Sequence, residues 1–294
     1  MSISNSIKKE RKTVLVLGAT GMLGNVVFRY LSSKESYKVY GSVRSAKSKL
    51  LFNKNLRKNL ISDINVDSDK KIANLFSLVN PDIVINCIGV IKQLDHSSNV
   101  LEVVPINSLL PHKLATLCKK KSIRLIHFST DCVFSGEKGN YIESDNPDPK
   151  DLYGRSKLIG EIDYPNCLTL RTSIIGPELN TARSLLCWFL KESGTIKGYV
   201  KAIFSGLPTV EIARVLCEYI IEKNLSGIYH LSGNSIDKYS LLNLIAKTYN
   251  HKVNIVPDNR IVIDRSLNCE KFRKITGYEP KAWDDLIKSM REFN

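Results

Sequence analysis

No run of apolar residues approaches the ~18 that a membrane-spanning helix needs. The opening residues 1–12 are polar and carry no apolar stretch of the secretory kind. A membrane partner is therefore not expected, and the chain reads as soluble and cytoplasmic. No CxxC pair occurs among the seven cysteines, Cys87, Cys118, Cys132, Cys167, Cys187, Cys217 and Cys269. An odd number set mostly in apolar runs supports neither a disulfide framework nor a zinc site, so reduced thiols and no metal are expected. Internal repeats, low-complexity tracts and a Pro/Gly/Ser-rich linker are also missing. Acidic residues are the scarcer sign, 29 against 43 Lys+Arg, for a formal net charge of +14. That excess could attract nucleic acid or a phosphorylated small molecule. It is scattered over residues 8–12, 47–58 and 119–121 and many single positions, which reads as a solvated basic surface and not as a nucleic-acid face.

What is present is enough apolar material for a real core. The chain has 294 residues, 43% of them hydrophobic and 24% charged, which fits one large α/β unit or two closely packed lobes. Residues 13–17 (TVLVL) form a short β-rich run that gives way at once to GATGMLG and then to a helical pattern. Strand, Gly-rich turn and helix are the context of a dinucleotide-binding fingerprint. Gly18 and Gly21 would let backbone amides at the helix start, with Thr20, Met22 and Leu23, approach a pyrophosphate, and Gly24 would let helix and strand pack closely. The plain alternative is an ordinary tight turn.

The second strand, residues 38–43, ends in Arg44 where an NAD-preferring site would carry a carboxylate. An Arg there suits a 2′-phosphate and hence NADPH, although Arg44 also reads as one more surface cation. Asp63, after a third short strand, could reach an adenine. Residues 81–90 are the clearest buried strand, and their end, Cys87-Ile88-Gly89, belongs beside the ribose and nicotinamide at the carboxyl edge of the sheet. A helix over 107–119 leads to a strand at 124–128. The alternation up to about residue 176 predicts an α/β fold, a doubly wound parallel (Rossmann) sheet over 1–176. Beyond Gly176-Pro177 the pattern turns to helices at 184–191, 210–222, 239–248 and 283–293 with short irregular pieces between, plus a strand at 227–232. Residues 177–294 read as a smaller lobe, interleaved with the first, that holds a substrate.

Two further segments carry chemistry. Residues 129–134 (STDCVF) deliver a hydroxyl, Thr130, at a strand end, and Tyr153 and Lys157 lie four apart on one helical face. An ammonium near a phenol would lower its pKa from ~10 toward the working range of a general acid, and the Lys can also hold a nicotinamide ribose. YxxxK alone is common. Behind a Gly-rich first βα unit and a strand ending in Ser129-Thr130 it is a specific combination.

GATGMLG, STDCVF, the acidic link YIESDNP and YGRSKLIGE together resemble the extended short-chain dehydrogenase/reductases, in the branch similar to dTDP-4-dehydrorhamnose reductase. The likeness continues through 170–173, 205–209, 264–268 and 272–278, so it covers nearly the whole chain. It implies NADPH-dependent reduction of the C4 carbonyl of a nucleotide-linked (UDP or dTDP) 4-keto-6-deoxy sugar, as in rhamnose-type deoxysugar and polysaccharide biosynthesis. Thr130, Tyr153 and Lys157 would form the reducing set, with Asp131 beside the substrate and Arg265 on its phosphates, since a guanidinium fork matches phosphate oxygens. Homodimers are common in the superfamily, and a homodimer is expected here. The branch also resembles the regulatory subunit of methionine adenosyltransferase, so a catalytically silent binding subunit is the alternative.

Cys132 departs from the branch, whose members usually carry Tyr there. It stands two residues after Thr130, where the resemblance to GDP-fucose synthase and the UDP-rhamnose synthases places an acid/base cysteine for C3/C5 epimerisation. A thiol with its pKa near 8.5 lowered by a nearby cation suits such a role. The second proton-transfer group of those enzymes, a His or Lys, falls early in the second lobe. Here that points to Lys197 or Lys201, with Lys201 favoured. The alternative for Cys132 is a small packed thiol without chemistry.

Overall fold

The computed structural model describes residues 11–92 and 98–293. Its strands are β1 (Lys12–Leu17), β2 (Tyr37–Ser42), β3 (Leu60–Ile61), β4 (Ile83–Asn86), β5 (Arg124–Phe128), β6 (Cys167–Arg171), β7 (Ile174–Ile175), β8 (Thr195–Phe204), β9 (Leu207–Pro208), β10 (Gly227–His230), β11 (Ile236–Asp237) and β12 (Asn254–Asp264). Seven of them pair in the order β10-β6-β5-β4-β1-β2-β3, and every pairing in that sheet is parallel. This is the doubly wound Rossmann arrangement expected from the sequence. An all-parallel sheet needs helices on both faces, and β1 shows why its run is uninterruptedly apolar. Val14 and Val16 pack with Val26, Val27, Phe28 and Leu31 of the first helix, whereas Leu15 and Leu17 pack with Ile72, Phe76 and Leu114 on the other face. Truncating a fully buried anchor such as Phe28 to Ala costs about 3–5 kcal/mol.

The sheet order reverses at β1/β4, and such a switch point opens a crevice at the carboxyl ends of the strands. Around it the local devices are specific. The helix Met22–Ser32 begins at Gly21 without a side-chain cap, which leaves its first amides facing outward. The helical stretch 100–120 passes through a wide π turn at Pro105–Leu109.

Beyond residue 176 the helices Leu185–Phe189, Thr209–Val215, Lys238–Tyr249 and Trp283–Glu292 lie where the sequence places helices. The chain also returns one strand, β10, to the edge of the main sheet beside β6. Two pieces read as irregular are long strands: β8 and β12 run parallel and, with antiparallel β11, form a second sheet in the order β11-β8-β12. In β8, Ile196, Ala202 and Phe204 are buried and Lys197 and Lys201 exposed, a period-two pattern that a Gly and two lysines disguise. No described helix is long and apolar enough to cross a membrane, and no group of three His, Cys, Asp or Glu among the described residues could hold a metal.

Candidate active site

A cavity of about 450 Å³ opens at the switch point. Its lining includes Gly21, Met22 and Leu23 from the first turn, Cys87, Ile88 and Gly89 from the end of β4, and Thr130, Asp131 and Cys132 from the end of β5. Tyr153, Lys157 and, from the later part of the chain, Glu178, Arg183, Phe204 and Lys238 also line it.

The Gly-rich turn has the geometry of a cradle. Gly18 sits at φ +77°, and a Cβ there would stand 2.8 Å from Ile88 Cγ1. A Cβ on Gly24 would come within 2.1 Å of the Gly18 carbonyl oxygen, so helix and strand meet at a distance only glycine allows. Ser42 Oγ accepts from Gly18 N at 3.2 Å and fixes the turn to β2. A pyrophosphate would find free amides at the helix start and no side chain in its way. Gly18, Thr20 and Gly24 shape this turn from behind the cavity lining. Arg44 and Asp63 are exposed just past β2 and β3, on the same sheet edge but outside the lining, and Asp63 takes φ 63°.

The end of β5 is locked from below. Ser129 Oγ donates to Glu161 Oε1 at 2.7 Å, and Arg171 clamps the same carboxylate through Nε at 2.8 Å and Nη2 at 2.7 Å. The hydroxyl of Thr130 is held by the Asp131 carboxylate at 3.1 Å and accepts from Cys132 N at 3.2 Å. The Tyr153 helix, Leu152–Ile159, starts at Asp151, whose side chain accepts from Gly154 N at 2.8 Å. Gly154 permits the close approach: a Cβ there would lie 2.3 Å from the Cys132 carbonyl oxygen. Asn107, on the π turn, ties the whole together, accepting from Val90 N at 2.9 Å and donating to Val90 O at 3.0 Å and Ser156 Oγ at 3.2 Å. Sequence reading missed it, although an Asn inside an apolar helix is a signal of such a staple.

Burial sets the electrostatics, and in two places it reverses the sequence expectation. The Tyr153 phenol is pushed up by desolvation first and the nearby Cys132 second, against the hydrogen bond with Thr130. The Lys157 ammonium donates to the Phe128 carbonyl, and desolvation draws its own pKa down to about 8. The Cys132 thiol is pushed up to about 11 by burial and by Asp131, which together outweigh Lys92 and Arg265. At neutral pH both the phenol and the thiol keep their protons.

The structure brings Thr130, Asp131, Cys132, Tyr153 and Lys157 together. Arg265 lies just behind, with Nε donating to Phe134 O at 2.8 Å and Nη1 3.9 Å from Cys132 Sγ. Lys197 and Lys201 are not brought to the cavity: both are exposed on β8, Lys197 standing 3.9 Å from Asp258 Oδ2 and Lys201 opposite Val262 of β12. The lysine that the later part of the chain does place at the cavity is Lys238.

With the switch-point cavity, the glycine cradle and the Thr/Tyr/Lys set in view, the comparison with known proteins gives a class. The sequence matches the RmlD substrate binding domain family over residues 12–292, and the chain belongs to that family. Among individual relatives, the chain is 35% identical over 165 residues to a protein of Haloferax volcanii described as a probable low-salt glycan biosynthesis reductase, a match spanning 54% of this chain and about half, 52%, of that protein. It is 24% identical to the mouse (Mus musculus) methionine adenosyltransferase 2 subunit beta, over 97% of this chain and 91% of that one. The fold superposes on the crystal structure of dTDP-4-dehydrorhamnose reductase from Bacillus anthracis, solved with NADP, with a TM-score of 0.80 at 22% identity, covering 97% of this chain and 99% of that one.

Proposed function

We propose that the protein is an NADPH-dependent reductase of the C4 keto group of a UDP- or dTDP-linked 4-keto-6-deoxy sugar. The observation that carries this reading is the convergence of Thr130, Tyr153 and Lys157 with the glycine cradle in one cavity. The free amides after Gly21 would hold the pyrophosphate, and Arg44, at the same sheet edge, would meet a 2′-phosphate. A nicotinamide supplies the hydride when bound. The chain's part is to place the ketone and protonate it. Thr130 holds the carbonyl oxygen, and Tyr153, kept protonated by burial, gives its proton to that oxygen as negative charge develops there. Lys157 anchors the ribose and lies along the path by which the phenol regains a proton. The test is NADPH oxidation on a panel of UDP- and dTDP-4-keto-6-deoxyhexoses. Correctly folded protein that oxidises NADPH with none of them overturns the reading.

Cys132 extends it to C3/C5 epimerisation. A thiol held protonated at the cavity wall is suited to deliver a proton to the carbon beside a ketone while another group removes one from the opposite face. Cys132→Ser is expected to stop inversion at C3 or C5 and to leave the 4-keto reduction in place; inversion at the wild-type rate removes the thiol from the mechanism.

The likeness to methionine adenosyltransferase 2 subunit beta over 97% of the chain favours a second reading, a regulatory subunit of the same fold. It predicts co-purification with a larger partner and no turnover, and the intact Thr130/Tyr153/Lys157 set argues against it.

A further inference from the structure

Lys238 stands half-buried at the cavity wall with an aromatic ring and, among the described residues, no carboxylate beside its ammonium. It is the first residue of the twelve-residue helix Lys238–Tyr249, where the positive end of the helix dipole disfavours a cation. The helix is pinned there by its cap: Asp237 accepts from Ser240 N at 2.8 Å and from Ser240 Oγ at 2.7 Å. Just before it, β11 pairs Ile236 with Phe204 and Asp237 with Ile203. That register sets the Lys238 ammonium 4.2 Å above the ring of Phe204, itself a cavity-lining residue. Among the described residues, no carboxylate lies within ion-pair distance of this ammonium, and its contact is the aromatic face. A primary ammonium has three donors, and at this half-buried position they face the cavity with no carboxylate of the described residues within ion-pair distance. Desolvation accordingly draws its pKa down to about 8, partly offset by the fields of Asp131 and Cys132.

An ammonium so held, in the same cavity as Thr130, Cys132 and Tyr153, lacks the acceptor that would satisfy it. We propose that Lys238 is a substrate-binding residue that donates hydrogen bonds to an oxygen substituent on the sugar ring beside the reacting carbonyl, making it the second lobe's contact to the sugar. This rests on the nucleotide-sugar reading above and assigns to Lys238 the place in the cavity that Lys197 and Lys201 do not occupy. The ring of Phe204 fixes the direction of the side chain. The Asp131 carboxylate offsets part of the desolvation penalty on positive charge at that point of the wall.

The experiment compares wild type, K238M and K238R in three measurements: kinetics with UDP- and dTDP-4-keto-6-deoxyglucose, calorimetric binding of the same two compounds, and NADPH affinity by fluorescence as the check on folding. A charged hydrogen bond lost from a desolvated site corresponds to about ten- to hundredfold in affinity. K238M is expected to raise KM for the sugar nucleotide, and its calorimetric Kd, by that factor, with NADPH affinity unchanged and K238R recovering part of the loss. Sugar-nucleotide affinity at the wild-type level in K238M overturns the proposal. So does an equal loss of NADPH affinity, which marks a structural role. If wild type binds a sugar nucleotide without turnover, the comparison is read on Kd, and the reductase reading fails while Lys238 is still judged. If wild type binds neither compound, both fall together.

Discussion

Replacing Glu161 by Ala removes the carboxylate beneath the end of β5, and the structure allows its consequence to be sized. Glu161 and Arg171 are both nearly inaccessible, their side chains 5% and 4% exposed, with Nη2 and Oε2 2.7 Å apart. The guanidinium has a second buried neighbour, His230 Nε2 at 3.4 Å, and stacks 5.2 Å from the Phe134 ring. Neither neighbour can neutralise it; His230 is held uncharged, its pKa drawn down to about 3 by burial and by Arg171 itself. Glu161→Ala therefore leaves an uncompensated buried charge, a loss of about 3–5 kcal/mol, against a total stability of about 5–15 kcal/mol. For a chain of 294 residues this corresponds to a fall in Tm of roughly 5–8 °C. The Ser129 hydroxyl loses its acceptor in the same change, so Thr130 is loosened and turnover falls with stability. The assay is thermal and guanidinium unfolding followed by circular dichroism, on Glu161→Ala, Arg171→Met and the double variant. Because removing both charges takes away the buried orphan, the double variant is expected to be more stable than Glu161→Ala alone. A Glu161→Ala protein within about 1 kcal/mol of wild type, or a double variant showing no coupling, refutes the claim that this pair is what fixes the strand end.

Tyr153→Phe removes the proton donor with little change in shape, and kcat for 4-keto reduction is expected to drop by about 10²–10⁴ while NADPH fluorescence titrations show unchanged affinity. Asn107→Ala frees Val90 and Ser156 from their shared partner; a loss of about 1–3 kcal/mol in denaturant unfolding is expected, and retained stability would show that the π turn stands without it. Lys157 gives a pH test: the folded protein releases its proton near pH 8, whereas the unfolded chain holds it to about 10.4. Between those values the unfolded state binds more protons, so the Lys157 contribution to stability rises with pH. The stability of wild type relative to Lys157→Met, measured by urea unfolding from pH 7.5 to 10, is expected to increase across that window, and a flat difference overturns the assignment.

The residues that the sequence made legible are those whose chemistry is local. Gly18, Gly21 and Gly24 announce themselves by spacing within one βα turn, and Thr130, Tyr153 and Lys157 by a strand end and a helical i, i+4 pair. The parallel sheet was legible for the same reason, since strands such as β1 and β4 are short apolar runs. What was not legible depends on partners distant in sequence. Lys197 and Lys201 are four apart on a strand, so they share one face, and only the register of β8 with β11 and β12 shows that this face is solvent. Lys238 follows a two-residue strand too short to be seen in a pattern, and it reaches the cavity because β11 lies against Phe204. The protonation of Cys132 and Tyr153 was read from neighbouring charges, whereas burial is the larger influence on both.

That burial moves four titratable groups of the cavity toward their uncharged forms. It pushes the Tyr153 phenol and the Cys132 thiol up and draws the Lys157 and Lys238 ammoniums down toward neutrality. Each shift has the same cause, the penalty on a charged form in a site with little water. Reducing a ketone needs an acid that still holds its proton when the hydride arrives, and a phenol at its ordinary pKa near 10 already meets that condition at neutral pH. Raising it further makes the proton harder to release, so the charge developing on the substrate oxygen must be what releases it. Thr130 is placed to share that charge, since its hydroxyl lines the same cavity as the phenol. The thiol follows the same rule: pushed up to about 11, Cys132 is a proton donor at neutral pH and a poor acceptor. If epimerisation occurs at this wall, Cys132 therefore completes it by returning a proton, and the removal falls to a group on the opposite side of the ring.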